Sequence, residues 1–368
     1  MQISSLLTFT ALTTLAVANL HHRGVCVTGK TSSPVGGTPW SVSYNWATNY
    51  EILPAATRCA CDHYRNRNTG NKPSDQCPDC TFDGLQCHSA GKHIGGNESI
   101  RAMSIQILSD LHLEAPKAYD VFEITPKAPI LALLGDVGNI AAHKDDCLAF
   151  LTHQLGQFRT VLFVPGNHEA YHSSWPETLG ILRAFEKDVD NNSSLGQFVL
   201  LDRGVFRVPD SDVVVLGCSL FSNVPPESHD DVSFGLNDFF QINDWDIDAH
   251  NDAYKRDVAW LNAQVAELGQ SDARIIIFTH WSPSRDSRAL DPRHATSPIT
   301  PGFATDLSGE PCFKSGKVKV WAFGHTHFNC DFTVERDGGS EPLRLLTNQR
   351  GYYFSQSMGF DEGKLLEG

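Results

Sequence analysis

Seven residues carry the donor atoms that a pair of transition-metal ions needs: Asp110, His112, Asp136, Asn167, His280, His325 and His327. Two carboxylates, four imidazoles and one amide oxygen form a mixed oxygen and nitrogen set. Such a set suits Mn, Fe or Zn better than Ca or Mg, which favour oxygen ligands, or thiolate-seeking metals. Asp110 and His112, like His325 and His327, stand two apart, so in extended chain both side chains of a pair point to one face and reach one site together. A carboxylate bridging two metals roughly 3.5 to 4 Å apart positions a shared hydroxide, acidified by both cations, for in-line attack on phosphorus. Asp136 is the candidate bridge. Singly, a His-x-His or an Asp-x-His is commonplace and usually structural, and it is the order of the whole set that carries weight. His143, His153, His229, His250 and His294 have no such context and read as surface or hydrogen-bonded histidines.

Positioning these residues requires strands that end just before them. Aliphatic, β-branched runs predict strands over 105–108, 130–134, 161–164, 213–216, 274–278 and 318–323. Five of the six run directly into a polar motif: Asp110-Leu111-His112, Gly135-Asp136, Gly166-Asn167-His168-Glu169, His280, and Gly324-His325-Thr326-His327. One sheet edge is where α/β folds place ligand sites. Helices are expected between strands, over 141–155, over 176–189 with Ser174 as N-cap, and over 249–268 with Gly269 ending it. The pattern is α/β without internal repeats.

The motifs from Asp110 to His327 resemble, in kind and order, those of the calcineurin-like metallophosphoesterase superfamily, over most of residues 103 to 355. The resemblance implies a sandwich of two mixed β-sheets flanked by helices, with a dinuclear site at one end. It implies one metal held by Asp110, His112, Asp136 and His327, and a second held by Asp136, Asn167, His280 and His325. His168 is then the residue that approaches substrate, donating a proton to the leaving alkoxide or stabilising phosphoryl charge, while Glu169 supports its loop. Branches that act on phosphoproteins read Gly-Asp-x-x-Asp-Arg-Gly, whereas here Val137-Gly138-Asn139 follows Asp136. Protein Ser/Thr phosphatase activity is disfavoured accordingly. The purple acid phosphatase branch, with a Tyr ligand where Asn139 stands, is disfavoured too. A small phosphodiester or phosphomonoester, such as a nucleotide, is the expected substrate, and a non-catalytic binding scaffold on the same fold is the alternative. Phe239, Phe240 or Trp245 could stack on a substrate ring, although core packing is the commoner use of such residues. Arg285 or Arg350 could clamp a phosphate oxygen.

The 368 residues carry a net charge of −14, and it is unevenly spread. Residues 19–102 hold eight Lys/Arg against six Asp/Glu, while 103–368 hold 21 against 37. An acidic body argues against stable nucleic-acid binding, which needs a basic footprint. Six of the ten cysteines, Cys26, Cys59, Cys61, Cys77, Cys80 and Cys87, lie in the first part. Residues 1–18 read as a secretory signal peptide, with an uncharged apolar run ending in Ala16-Val17-Ala18. The run is too short for a membrane span, and none is expected elsewhere. Residues 19–100 then read as a Cys-rich module stapled by up to three disulfides, with zinc ligation by Cys59, Cys61, Cys77 and Cys80 as the competing reading. The metallophosphoesterase domain occupies 103–368. The protein is secreted if the signal is used, and cytoplasmic if the enzyme starts at Met103.

Overall fold

A computed structural model describes residues 104–367 apart from 210, 295 and 337–339. Before them it describes strand backbones at 20–21, 23–24, 27–35, 45–52 and 94–95, and residues 58, 61–62, 65, 77, 79–84 and 86–90. The chain divides into two compact units, Met1–Ala102 and Met103–Gly368. The expected signal segment, Cys26 and Cys59 lie outside the described residues. In the first unit Cys61 is bonded to Cys87 and Cys77 to Cys80. The zinc reading fails there, because the sulfurs of Cys61, Cys77 and Cys80 are already covalently paired. These four cysteines form a small buried cluster with Phe82 against it.

The second unit is built on two mixed sheets. β1 (Ser104–Leu108), β2 (Ile130–Leu133), β3 (Thr160–Phe163) and β4 (Gln197–Leu200) pair in parallel. β5 (Gly204–Arg207), β6 (Val213–Cys218), β7 (Arg274–Thr279), β8 (Val318–Phe323), β9 (Asp331–Val334) and β10 (Leu343–Thr347) make the second sheet, in the order β5-β6-β7-β8-β10-β9. β11 (Leu365–Glu367) closes the first sheet antiparallel to β1. Outer strands β5 and β9 are antiparallel to their neighbours, so both sheets are mixed.

Alternation along the strands divides the core into layers. Ile105, Ile107, Ala132 and Leu162 from the first sheet meet Val213, Val215, Ile276, Phe278 and Val320 from the second. The opposite face of the first sheet, through Leu131, Leu133 and Phe163, packs on α1 (Lys144–Leu155) and α2 (Trp175–Asp190). The opposite face of the second, through Val214, Leu216, Ile275 and Ile277, packs on the longest helix, Ile247–Leu268. Strands buried on both faces read as continuous aliphatic runs, which is why the sequence marks β2, β3 and β6 to β8 so clearly. Ser174 caps α2 by accepting the Glu177 N–H. Gly269 follows the long helix with φ −57°, in the right-handed region, so that helix ends without the left-handed turn its glycine suggested. Among the described residues no helix is long and apolar enough to cross a membrane.

Candidate active site

The C-terminal ends of β1, β2, β3, β7 and β8 converge at one edge, each followed by a loop that turns sharply out of its strand. Asp110, His112, Asp136, His325 and His327 all take positive φ, between 47° and 67°. Non-glycine residues rarely occupy this left-handed region, at about 1 to 3 kcal/mol each, and such strain collects at functional sites. It also revises the reading of the two-residue spacings. Neither pair lies in extended chain, and the pairs do not share a fate. Asp110 and His112 gather with His327, whereas His325 gathers with Asp136 and His280. Left-handed turns at both histidines redirect the two side chains to different groups.

Asp136 occupies the centre. Its Oδ1 accepts the His168 N–H at 2.9 Å. Its Oδ2 lies 3.4 Å from His280 Nε2, 3.9 Å from His112 Nε2 and 4.0 Å from His168 Nε2. In each donor group the ligating atoms lie within 4.8 Å of one another. Asp110 is fixed by the His325 N–H (3.0 Å) and the Ser109 hydroxyl (2.5 Å), and its Oδ1 stands 3.3 Å from His327 Nε2. His280 donates from Nδ1 to Leu134 O at 2.8 Å, which turns its Nε2 toward Asn167 Oδ1 at 3.1 Å. The Asn167 amide is oriented in turn, since its Nδ2 donates to Asp238 Oδ1 at 2.8 Å and leaves the oxygen facing the site. Two glycines permit the closeness. A Cβ on Gly135, whose φ is +89°, would meet His280 Nδ1 at 2.4 Å, and one on Gly324 would meet Ser109 Oγ at 2.2 Å.

The arrangement is electrostatically incomplete without cations. His112 and His327 point Nε2 at one another across 2.9 Å, although the Nδ1 of His112 is already committed to Glu114. His325 Nε2 is buried without any hydrogen-bond partner. An orphaned buried nitrogen costs on the order of 1 to 3 kcal/mol, and a metal ion removes that penalty. Burial alone would push the Asp136 carboxyl up, but His280 and His168 hold it well below the usual range. Burial would depress His280 as well, and Asp136 carries it up to about 9. His325 is driven well down by burial and by the charge of His280. Asp136 is thus held ionised at the centre of the imidazoles, the negative charge that a metal's donor set supplies.

His168 stands beside this group, stacked on Tyr171 with ring centroids 4.2 Å apart. Its Nδ1 donates to Glu114 Oε1 at 2.8 Å, and its Nε2 faces the site, 3.4 Å from the Tyr352 hydroxyl. Burial lowers its affinity for a proton, but Asp136 and Glu114 raise its pKa to about 9. Asn139, where phosphoprotein-directed relatives would carry Asp, donates from Nδ2 to His168 O at 2.8 Å. Glu169 is fully buried and binds four backbone amides: Asp136 N (2.9 Å), Val137 N (2.8 Å), Gly138 N (3.3 Å) and Gly166 N (2.6 Å).

Sequence reasoning missed Glu114, Asp238, Tyr171 and Tyr352. Glu114 had a signal, since it stands two residues after His112. Asp238 and Tyr352 had none, because only the fold brings them here. His294, read as a bland histidine, lines the cavity beside the site. Of the segment expected to offer aromatic rings, Gly235, Leu236, Asn237 and Asp238 line that cavity instead. Trp245 packs in the core with Trp175 and Phe221, Phe239 lies against the Val232 and Leu236 cluster, and Phe240 is exposed. Arg350 is not among the residues that line the cavity. It donates to Leu111 O at 2.8 Å and lies over the Phe122 ring.

Strand ends of two mixed sheets thus deliver carboxylate, imidazole and amide donors to one buried cluster, the layout expected of a metal-dependent phosphoesterase. The chain belongs to the calcineurin-like phosphoesterase family, whose sequence model matches residues 103–329. The model of Biotrophy-associated secreted protein 4 matches residues 19–107. An uncharacterized protein of Acanthamoeba polyphaga mimivirus is 25% identical over 269 residues, spanning 67% of this chain and 91% of its own. Among solved structures, a phosphopantetheinyl hydrolase from Mycobacterium tuberculosis is similar at 16% identity and TM-score 0.47, over 69% of this chain and 91% of its own. A dimetal phosphatase from Danio rerio is similar at 14% identity and TM-score 0.39, over 67% of this chain and 87% of its own.

Proposed function

We propose that residues 103–368 hydrolyse small phosphoesters, diesters or monoesters, with two ions of the Mn, Fe or Zn kind. One observation carries this: imidazole nitrogens and Asp136 Oδ2 face one another in a buried cluster where His325 Nε2 has no partner. Asp110, His112, Asp136 and His327 would hold one ion, and Asp136, Asn167, His280 and His325 the other. Two cations held there would supply an acidified water and draw charge from the phosphoryl oxygens. The remaining chemistry falls to the chain itself. His168 holds a proton at Nε2 for the leaving oxygen, and Glu114 fixes which nitrogen faces substrate by accepting from Nδ1. Purified protein supplied with Mn²⁺ is expected to cleave an aryl phosphodiester or monoester, and chelation to abolish the reaction. No cleavage, with less than one metal ion per chain, would mark a binding scaffold instead.

Glu114 gives the proton-transfer reading a sharper check. Its Oε1 also accepts from His112 Nδ1 at 3.1 Å, so one buried carboxylate orients both rings. Glu114→Gln should reduce kcat by roughly 10- to 100-fold. The loss should be steepest for alkyl leaving groups, which need a proton, and shallow for nitrophenolate, which does not. A uniform loss across leaving groups would reject the positioning of an acid.

We further propose that residues 1–18 direct secretion and that residues 19–100 form a disulfide-stapled module. The two disulfides support this reading, as does the likeness to a family named for a secreted protein. Intact-mass analysis of native protein should find an N-terminus near Asn19 and oxidised cysteines. An N-terminus at Met103 would place the enzyme in the cytoplasm.

A further inference from the structure

Beside the donor cluster lies a cavity of about 320 Å³, within the range that holds small ligands. Asp136, Asn167, His168, His325 and His327 form its floor, so a phosphoester seated on them can place its alcohol portion in the remaining space. The far wall carries the apolar side chains of Leu236, Leu290, Ile299 and Phe303, with Asn237, Ser297 and Thr300 among them. Its carboxylates are Asp238 and Asp291, and His294 also lines it. Asp238 is buried, with its Oδ1 accepting from the Tyr171 hydroxyl at 2.7 Å and from the Asn167 amide. Asp291 is paired with the exposed Arg293, whose guanidinium is bound to that carboxylate and does not line the cavity. Among the described lining residues there is no lysine or arginine.

From this we infer that the substrate carries all its negative charge on the phosphoryl group being cleaved, and that its leaving group is a compact, largely apolar alcohol, neutral or cationic. The inference rests on the proposed hydrolase reading and narrows it. A second phosphate or a carboxylate on the leaving group would be drawn from water into a wall that offers it no lysine or arginine, beside Asp238. Charges left unpaired in this way are strongly disfavoured. Nucleoside di- and triphosphates, sugar bisphosphates and acidic phosphopeptides are disfavoured on that ground.

The test compares aryl phosphates that differ at one position: 4-methylphenyl, 4-(aminomethyl)phenyl and 4-carboxyphenyl phosphate, each as monoester and as methyl diester, with the released phenol measured. The full chain is used with Mn²⁺ added. The methyl and aminomethyl compounds should exceed the carboxy compound in kcat/KM by at least about 10-fold, even though the carboxyphenol is a better leaving group than the methylphenol. Ser297 lies on the same wall, half-buried, and Ser297→Lys should bring the carboxy compound to within about threefold of the others. Equal rates for all three in the unaltered protein would overturn the inference while leaving the hydrolase reading standing. No turnover of any of them would overturn both.

Discussion

Asp136→Asn is expected to lower kcat/KM on an aryl phosphoester by about 10³-fold or more, a loss of about 4 kcal/mol in transition-state stabilisation. The size follows from what each oxygen of the carboxylate does. Oδ1 accepts the His168 N–H at 2.9 Å, a role that an amide oxygen keeps, so the loop survives the change. Oδ2 faces three imidazole nitrogens at 3.4 to 4.0 Å. An amide NH₂ in that position can neither donate lone pairs to a cation nor carry the charge that draws two cations together. Metal content should therefore fall below two ions per chain, as measured by elemental analysis, while the unfolding midpoint of metal-free protein is kept or raised. Wild-type activity in the variant would remove Asp136 from the chemistry.

The sequence disclosed the strands of this fold unevenly, for a physical reason. β2, β3, β6, β7 and β8 are buried on both faces, and their aliphatic runs stand out. β4, β5 and β9 lie toward sheet edges with exposed or half-buried positions, so their pattern is diluted and they escaped notice. β11 follows a turn-rich stretch and gains strand character only by pairing with β1. At the site, the donors were legible because each follows a strand end within a few residues. The directions of their side chains were not. Positive φ at Asp110, His112, Asp136, His325 and His327 is set by loop closure against neighbouring strands, as when His325 N–H reaches Asp110 Oδ1 across 215 residues. Asp238 illustrates the same limit, because its bearing on Asn167 depends on a contact 71 residues away.

Glu169 is expected to matter more to stability than any candidate metal ligand, although it faces no substrate. Its carboxylate gathers the amides of Asp136, Val137, Gly138 and Gly166. It thereby ties the loop after β2 to the loop after β3. Burial and the nearby charge of Asp136 push its carboxyl up to about 7, so four donors are needed to keep an acid there at all. Glu169→Ala leaves four buried N–H groups without an acceptor, at about 1 to 3 kcal/mol each before any water enters the space. A net loss of about 4 kcal/mol or more is expected, a large share of the 5 to about 15 kcal/mol that holds a typical domain together. Glu169→Gln should fall between, because its oxygen serves one pair of amides while its NH₂ confronts the other pair donor to donor. Urea midpoints measured with chelator present keep metal binding out of the comparison. A loss under about 1 kcal/mol for the alanine variant would mean that the two loops are held by their strands alone. The predicted order, wild type above Gln above Ala, separates lost hydrogen bonds from lost volume: Gln preserves the volume, so a Gln variant as stable as wild type would assign the effect to packing.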